Sequence, residues 1–333
     1  MYPDCFIHHF ETYQDLTTGA HVVKHFTIKE SLFLAFANGR TSTSDSIIYK
    51  FSDSTRKFSL YQTLDTKKAS ALEYFTISDE HYLAVANKFK TVIYRWNGQL
   101  FTPFENIAAH EMKFSFFTVD KEPYLGVSSI SRSKSQCIIY KWKNNTLEKF
   151  QVIRGSSFIT HAFIIDNETY LALAHGDGLK LTQSVVYKWS GKSFSKVQTL
   201  PRAFDVRFFN IDEQVFLALG SQRVTTNSYI YKWEGSRFSL FQSISTLGPV
   251  TCVHSFVMCG KMFLGFTKWG SEKVTLYRFF LDKFTKYQEI STFGATDMTS
   301  FEYKGYTYLA IANYGNLTQS STKSTLYKWT TGM

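Results

Sequence analysis

Apolar and polar residues alternate along seven short stretches of the chain, and each stretch ends in a tyrosine, a cation and a large aromatic residue. The clearest copy covers residues 185–189, with the sequence Val-Val-Tyr-Lys-Trp. The endings in chain order are Tyr49-Lys50-Phe51, Tyr94-Arg95-Trp96, Tyr140-Lys141-Trp142, Tyr187-Lys188-Trp189, Tyr231-Lys232-Trp233, Tyr277-Arg278-Phe279 and Tyr327-Lys328-Trp329. Alternation with a period of two predicts strands rather than helices, and the recurrence indicates a repeat protein.

Three more elements recur in a fixed order around this stretch, so that each repeat holds four elements, which we label A to D. Element A carries a phenylalanine, B is an apolar run such as residues 82–87, C is the stretch described above, and D is Phe-x-x-x-Gln. The D elements start at residues 10, 58, 101, 147, 194, 238 and 284, which gives a period of about 43 to 48 residues. Two copies vary: the third has Glu105 in place of glutamine, and the fourth starts with Leu147.

The turn residues and the ends of the chain complete the fold prediction. Asp, Asn and Gly stand between A and B and between C and D, where hairpin turns need them. Four antiparallel strands per repeat of this length predict an all-β fold, a seven-bladed β-propeller of four-stranded antiparallel blades. Because the chain starts with a D element and stops after a C element, we expect one domain over residues 1–333, in which residues 8–16 complete the blade formed by 295–329.

The order of the motifs resembles a known repeat. The last repeat carries Phe284 and Gln288, then Gly-Ala-Thr-Asp at 294–297, the apolar run 308–313, and Tyr-Lys-Trp at 327–329. This pattern is similar to the epilepsy-associated repeat, also called the EPTP repeat, and it covers nearly the whole chain. The Gly-His and Trp-Asp pairs of WD40 repeats and the Gly-Gly pairs of kelch repeats are missing.

The resemblance implies a seven-bladed propeller that is usually extracellular. The family occurs in the leucine-rich glioma-inactivated proteins, where the propeller binds catalytically inactive ADAM-type receptors, and in a thrombospondin-type laminin G protein. The leucine-rich repeats and laminin G-like sequence of those proteins are missing here, so a particular receptor is not carried over. What the resemblance implies is therefore a protein-interaction module of ligand, receptor or adhesion type.

Composition narrows the cellular setting in two ways. The chain of 333 residues has a formal net charge of +10, which favours an acidic partner or surface. No apolar run is long enough to span a membrane, and no signal peptide is visible, so a cytoplasmic location stays the alternative to an extracellular one. Four cysteines, Cys5, Cys137, Cys252 and Cys259, are too few for a disulfide framework, and their pairing stays open.

The A elements offer the candidate chemistry of a central channel. The residue two before the phenylalanine is polar in all seven copies, and the residue three before it is apolar in nearly all, which predicts a hydrated channel on one side. At the position four before it, only Asp205 and Asp297 are acidic. The resemblance implies a possible calcium ion held by such carboxylates, although calcium needs six to eight oxygens. The alternative is that these aspartates accept hydrogen bonds inside the channel.

The B–C and D–A loops should open on one face of a four-stranded meander, and this face is predicted to be basic. It carries fourteen cations against five acids, which are Asp45, Asp65, Glu111, Asp177 and Glu272. Long loops on a rigid scaffold are where binding usually resides, so the face is the candidate site for a cell-surface or matrix protein, or for an anionic glycan as the alternative. The cations are Arg40, Lys67, Lys68, Lys88, Lys90, Arg132, Lys134, Arg154, Lys180, Arg202, Arg223, Lys268, Lys273 and Lys323.

Other functions receive less support from the sequence. The motifs of serine hydrolases, zinc proteases and phosphate-binding loops are missing, so we predict a non-enzymatic protein, with a hydrolase at the channel mouth as the weaker alternative. The basic loops lack interleaved aromatic residues for base stacking, so nucleic acid is not expected. Asn-x-Ser/Thr sequons at Asn144, Asn167 and Asn316 fall in predicted surface loops and fit a secreted glycoprotein.

Overall fold

The fold is all-β, as the alternation along the chain predicts. The computed structural model describes residues 8–39, 44–87, 90–107, 111–129, 136–154, 159–174, 183–221, 227–315 and 323–331, and no helix occurs in them. The strands are β1 (His8–Thr18), β2 (Ala20–Ile28), β3 (Ser31–Asn38), β4 (Ser46–Ser52), β5 (Lys57–Leu64), β6 (Ala69–Ile77), β7 (Glu80–Asn87), β8 (Thr91–Trp96), β9 (Phe101–Ile107), β10 (Glu111–Val119), β11 (Glu122–Ser129), β12 (Gln136–Lys143), β13 (Thr146–Arg154), β14 (Ile159–Ile165), β15 (Glu168–Ala174), β16 (Ser184–Trp189), β17 (Phe194–Leu200), β18 (Asp205–Ile211), β19 (Gln214–Gly220), β20 (Ser228–Trp233), β21 (Phe238–Ile244), β22 (Val250–Met258), β23 (Lys261–Lys268), β24 (Lys273–Phe280), β25 (Lys283–Ser291), β26 (Ala295–Tyr303), β27 (Tyr306–Asn313) and β28 (Lys323–Thr331).

These strands form seven four-stranded antiparallel sheets, so the prediction of a seven-bladed β-propeller is confirmed. Blades 1 to 6 are β2–β5, β6–β9, β10–β13, β14–β17, β18–β21 and β22–β25, and blade 7 is β26–β28 with β1. The chain divides into two compact units, one of residues 1–72 and 254–333 and the other of residues 73–253. Apart from boundary residues in β6 and β22, unit 1 holds blades 1, 6 and 7, and unit 2 holds blades 2 to 5. One domain over residues 1–333 stays a prediction.

Strand β1 is the outer strand of blade 7, although it comes from the other end of the chain. It pairs antiparallel with β28, and Phe10 lies opposite Trp329 while Asp15 lies opposite Thr325. This pairing agrees with the offset of the repeats in the sequence. It provides the last C strand with a hydrogen-bonded neighbour that it would otherwise lack.

The hydrophobic core lies between successive blades of each unit. In unit 2, one cluster joins Phe163 and Tyr170 of blade 4 to Leu217 and Phe238 of blade 5. The tryptophan that ends the C stretch contributes to this packing in blades 3, 4, 5 and 7, because its ring lies against the B strand of the preceding blade. The ring centroids of Trp233 and Tyr170 are 5.6 Å apart, and those of the Trp142–Tyr82 pair are 5.1 Å apart. Aromatic contacts at such distances add about 0.5 to 1.5 kcal/mol to the burial of area.

A β-bulge recurs in every D strand at the residue just before the glutamine of Phe-x-x-x-Gln. In blade 1, Ile48 lies opposite Gln62 and Tyr49 lies opposite Leu60, so Tyr61 is the extra residue. The same register shift occurs in blades 2 to 7. The bulge directs the Tyr61 ring onto the B strand, where it meets Phe33 edge-on at 5.3 Å.

The glutamine that follows the bulge clamps the backbone of the next blade. The Gln198 side chain accepts a hydrogen bond from Phe238 N at 2.8 Å and donates one to Phe238 O at 2.7 Å. Gln14 clamps Phe58 in the same way, and Gln151 clamps Phe194. The Phe-x-x-x-Gln motif therefore links neighbouring blades. The glutamine side chain of one blade exchanges two hydrogen bonds with the backbone of the phenylalanine in the next blade.

Candidate functional site

The two candidate metal ligands are both buried on inner strands and bonded to the backbone of the following blade. Asp205 Oδ2 accepts a hydrogen bond from Val253 N at 2.6 Å, and its Oδ1 accepts one from Val206 N at 2.8 Å. Asp297 Oδ2 accepts a hydrogen bond from Val23 N at 3.0 Å, so it links blade 7 to blade 1. In both cases the aspartate fastens one A strand to the next, which is the alternative that the sequence left open.

The surroundings of Asp205 oppose the charge that a calcium ligand needs. Burial raises the pKa of this carboxyl, while the charge of Lys113, the amides of Val253 and Val206, and the charge of Arg207 act in the opposite direction. In the described part of the chain, no group of three or more His, Cys, Asp or Glu could hold a metal ion. Asp205 and Asp297 do not provide the six to eight oxygen ligands that calcium needs.

The polar positions of the A strands follow the alternation that the sequence predicts. Val23, Val206, Val253 and Met298, three residues before the phenylalanine, are buried to 3% exposure or less. Two imidazoles in unit 1 form neighbouring hydrogen bonds. His254 Nε2 accepts one from Ser300 N at 3.1 Å, so its proton is on Nδ1, and it lies 2.9 Å from the Ser300 hydroxyl.

His25 is the second imidazole and is partly buried, and its Nδ1 lies 2.7 Å from Thr299 Oγ1. Burial, with a smaller contribution from the charge of Lys24, lowers the pKa of His25 to about 4. Since the ring is neutral at physiological pH, it serves as a hydrogen-bonding group of the inner strands.

The lysine or arginine of the C strand pairs with residues of the neighbouring B strand. Lys188 Nζ lies 2.5 Å from Glu168 Oε2 and 5.8 Å from the centre of the Tyr170 ring, and both partners belong to the B strand. The Arg95 guanidinium pairs with Glu80 at 2.9 Å in the same arrangement. The ionic partners of both cations therefore lie on the neighbouring B strand. Exposed pairs of this kind contribute about 0 to 1 kcal/mol each.

The lysines of the predicted basic face in unit 1 are largely matched by acids. Lys67 Nζ lies 3.3 Å from Asp45 and 3.0 Å from Asp65. Lys273 pairs with Glu289 at 3.0 Å, and Lys323 lies 3.6 Å from Asp15. Sequence reasoning missed Glu289 and Asp15, because both belong to strands and reach the loops only through their side chains.

Four other described cations of this face form no ion pair with a described carboxylate: they are Lys68, Lys90, Arg154 and Arg202. The fifth, Lys268, is attracted by Glu289. Three of them belong to unit 2, so the unmatched charge is concentrated there. Arg202 follows Pro201 in the D–A loop, and its buried Nε has no hydrogen-bond partner in the described residues. The guanidinium group of arginine can bind a carboxylate or sulfate, but this Nε is buried and faces no external ligand.

Seven predicted site residues lie outside the described residues. They are Arg40, Lys88, Arg132, Lys134, Lys180, Arg223 and Asn316.

The other two sequons are in exposed hairpin turns of unit 2. Asn144 lies between β12 and β13 and has a φ of 51°, and Asn167 lies between β14 and β15 with a φ of 61°. Asparagine tolerates this left-handed conformation better than most residues. Both side chains are therefore presented to solvent by turns whose geometry favours asparagine in any case.

The cysteines are of two kinds. Cys259, in the turn between β22 and β23, is disulfide-bonded, whereas Cys137 and Cys252 are buried thiols. Of the four cysteines in the sequence, Cys5 remains, and it lies outside the described residues. Disulfides persist in oxidising compartments and are rare in the cytosol.

Sequence reasoning also missed a group of aromatic side chains on the loops of unit 1. Trp269 is 54% exposed and Phe293 is 42% exposed, and Tyr314 lies beside Trp269 with ring centroids 5.7 Å apart. The exposure of a tryptophan could not be foreseen, because the other tryptophans of the sequence end C strands and read as core.

The EPTP domain profile matches this chain at residues 9–52, 57–97, 193–234 and 283–330, which together make up more than half of it. The chain belongs to the EPTP domain family. Each match runs from one D strand through the next A, B and C strands. The two repeats with the variant D motifs are outside the matches, although the structure gives them the same blade.

Two curated EPTP relatives match parts of the chain. The mouse (Mus musculus) thrombospondin-type laminin G domain and EAR repeat-containing protein is 37% identical over 134 residues, 36% of this chain and 20% of that protein. The human (Homo sapiens) leucine-rich repeat LGI family member 2 is 28% identical over 157 residues, 46% of this chain and 27% of that protein. The matches thus span only about a fifth to a quarter of the relatives' length.

Solved structures support the fold alone. The β-propeller domain of Cps50 (Swd1) from Myceliophteria thermophila superposes with a TM-score of 0.65 at 8% identity, covering 96% of this chain and 99% of that one. In the described residues, no helix is long and apolar enough to cross a membrane.

Proposed function

We propose that this EPTP propeller is an extracellular module that binds a cell-surface or matrix protein through its B–C and D–A loops, without catalysis. The observation that carries the proposal is the unmatched positive charge of these loops, at Lys68, Lys90, Arg154 and Arg202. The loops of the blades present these side chains, and complementary charge accelerates encounter and selects the partner. Membership of the EPTP family is consistent with such an interaction module.

Two further observations support the extracellular setting. Cys259 is disulfide-bonded, which fits an oxidising compartment. Asn144 and Asn167 stand in exposed turns and are open to glycosylation. A disulfide would be unusual in a cytosolic scaffold, which is the competing location.

Binding of the fluorescently labelled chain to cultured mammalian cells tests the proposal. We expect saturable binding that is lost after trypsin treatment of the cells. The variant Lys68→Gln, Lys90→Gln, Arg154→Gln, Arg202→Gln should bind at least about tenfold more weakly and with less dependence on salt. Unchanged binding of this variant would contradict the proposal.

A matched control removes the same charge elsewhere. Lys57, Lys192, Lys261 and Lys283 are exposed in or beside A–B and C–D turns, and glutamine at these four positions should leave binding unchanged. Thermal unfolding followed by circular dichroism must show that both variants fold.

A second candidate, binding of an anionic glycan, rests on the same four cations, since guanidinium and ammonium groups bind sulfate as well as carboxylate. Soluble heparin separates the two. Competition by heparin, together with binding that survives trypsin but not heparinase, favours the glycan, whereas trypsin-sensitive binding favours the protein partner.

A further inference from the structure

The loops of unit 1 carry a group of exposed aromatic side chains that the charge argument does not use. Trp269 is at the turn between β23 and β24, Phe293 is between β25 and β26, and Tyr314 follows β27. Their exposed fractions are 54% for Trp269 and 42% for Phe293, whereas Tyr314 is half-buried. Large apolar side chains gain free energy on burial, so such a group on a loop surface calls for a partner.

The rings of Trp269, Tyr314 and His21 are in contact across three blades, and Phe293 is on a loop that is hydrogen-bonded to the turns of Trp269 and Tyr314. The centroids of Trp269 and Tyr314 are 5.7 Å apart, and those of Tyr314 and His21 are 3.9 Å apart in a stacked arrangement. Trp269 belongs to blade 6, Tyr314 to blade 7 and His21 to blade 1. We call Trp269, Phe293, Tyr314 and His21 the aromatic row.

Backbone hydrogen bonds between the loops hold the row in place. Gly294 N donates to Ser271 O at 3.0 Å, and Tyr314 N donates to Gly294 O at 3.0 Å. Gly294 has a φ of 67°, and a Cβ there would be 2.5 Å from Gly315 O, so only glycine fits. The loops are therefore ordered before binding, which reduces the entropy that a partner must overcome.

The charges beside the row decide which partner fits. Lys268 precedes Trp269, and burial lowers the pKa of its ammonium group, with a further lowering by Lys286 and Lys273 that Glu289 opposes. Glu272 is the other nearby acid, so cations are in excess by one. With a formal net charge of +10, a second copy of the chain would be repelled.

We propose that the aromatic row is an anchor site on the B–C and D–A loops of unit 1, and that it takes an apolar or aromatic side chain from an acidic segment of the protein partner. Trp and Tyr are enriched among residues that dominate interface energies, and they act from preorganised positions. A carboxylate of the segment lies beside Lys268, since Lys273 is already paired with Glu289. The inference rests on the proposed function and adds the place and chemistry of the anchor.

Selection of phage-displayed random short peptides on the immobilised full chain tests the inference. The selected peptides should be rich in Asp and Glu around at least one large apolar residue. Trp269→Ala should weaken their binding at least about tenfold, as expected for an anchor. Leu281→Ala is the matched control, because Leu281 is 76% exposed in a C–D turn. It should leave binding unchanged.

Several outcomes would overturn the inference: no enrichment on the wild-type chain, enrichment of peptides without acidic residues, or equal binding by Trp269→Ala. The two variants can also be added in solution as competitors. The variant with four neutralised cations should elute the selected peptides because it keeps Trp269, whereas Trp269→Ala should not, and this result supports the inference.

The cell-binding experiment keeps this inference distinct from the proposed function. If cells bind the wild type and Trp269→Ala equally, the anchor is wrong and the proposed function stands. If cells bind neither, the proposed function fails, and the peptide selection decides the inference by itself.

Discussion

Glu105 of blade 2 accepts a hydrogen bond of 2.7 Å from the Thr146 hydroxyl of blade 3. Elsewhere a glutamine amide at this position both donates to and accepts from the next backbone, but a carboxylate can only accept. Leu147 N still donates a hydrogen bond to the Glu105 carboxylate, at 3.3 Å from Oε2 and 3.4 Å from Oε1. The threonine hydroxyl is the second donor. The departure from the repeat pattern at residue 105 is thus matched by the residue at 146.

This pairing predicts that the two positions are energetically coupled. Thr146→Val should destabilise the chain by about 1 kcal/mol, because it leaves the partly buried carboxylate with Leu147 N as its remaining donor. In a Glu105→Gln background the same change should cost much less, since the amide supplies its own donor. Urea unfolding of the four proteins gives the coupling energy. Because Thr146 completes the sequon at Asn144, the proteins should be made without glycosylation, and equal costs in both backgrounds would refute the coupling.

The glutamine clamps should contribute measurably to stability. Gln198→Ala removes two hydrogen bonds to the Phe238 backbone, and we expect a loss of about 1 to 3 kcal/mol in the free energy of unfolding. Gln214→Ala is the control, since Gln214 is an exposed residue at the start of β19. Its effect should stay within about 0.5 kcal/mol. A result with the two variants equal would mean that the clamp adds nothing to stability.

His25 predicts a loss of stability in mild acid. Its pKa is about 4 in the folded chain, chiefly because of burial, and 6.5 in the unfolded chain. The unfolded chain therefore binds the proton more tightly, and stability falls as pH drops from 6.5 towards 4, by roughly 3 kcal/mol at most. Urea midpoints across this range should show the fall, and His25→Gln should reduce it. If the variant keeps the full slope, another group is responsible.

The cysteines should differ in reactivity. Iodoacetamide is expected to label Cys137 and Cys252 only after unfolding, because both thiols are buried. Peptide mapping without reductant should find Cys259 in a cross-linked peptide, and Cys259→Ser should lower the unfolding temperature. Labelling of Cys259 in the native, unreduced protein would contradict this expectation.

Glycopeptide mass spectrometry of the protein from its native source checks the location. We expect glycans at Asn144 and Asn167, since both turns expose the acceptor. Well-covered peptides without glycans would favour a cytosolic scaffold. If neither asparagine carries a glycan, Asn144→Gln and Asn167→Gln should leave the electrophoretic mobility of the protein unchanged, whereas loss of a glycan should increase it.

The sequence predicted the architecture well because the repeat is spelled out seven times. The alternation in Val185–Trp189 fixes a strand, and the offset of Phe10 from Trp329 fixes the pairing of β1 with β28. The role of Phe-x-x-x-Gln could not be predicted, because each glutamine bonds to a residue one repeat further along the chain. The bulge that orients the glutamine side chain also cannot be recognised from the residue types.

The site was less predictable because it depends on contacts between loops and strands. The charge count over the loops identified Lys273 and Lys323, but not the acids Glu289 and Asp15 that neutralise them. Likewise, nothing in the residues around Trp269 distinguishes an exposed tryptophan from a core one. Asp205 shows the opposite case, because a lone acid among apolar neighbours already suggested a buried hydrogen-bond acceptor.

The recurring bulge before each D-strand glutamine limits how any partner can bind. A partner that adds a strand to a sheet needs a regular row of backbone donors and acceptors along the outer edge. In every blade the bulge at positions such as Tyr61 breaks that row, and the edge twists away. Strand addition along these D strands is therefore disfavoured, and we expect a partner to bind through side chains.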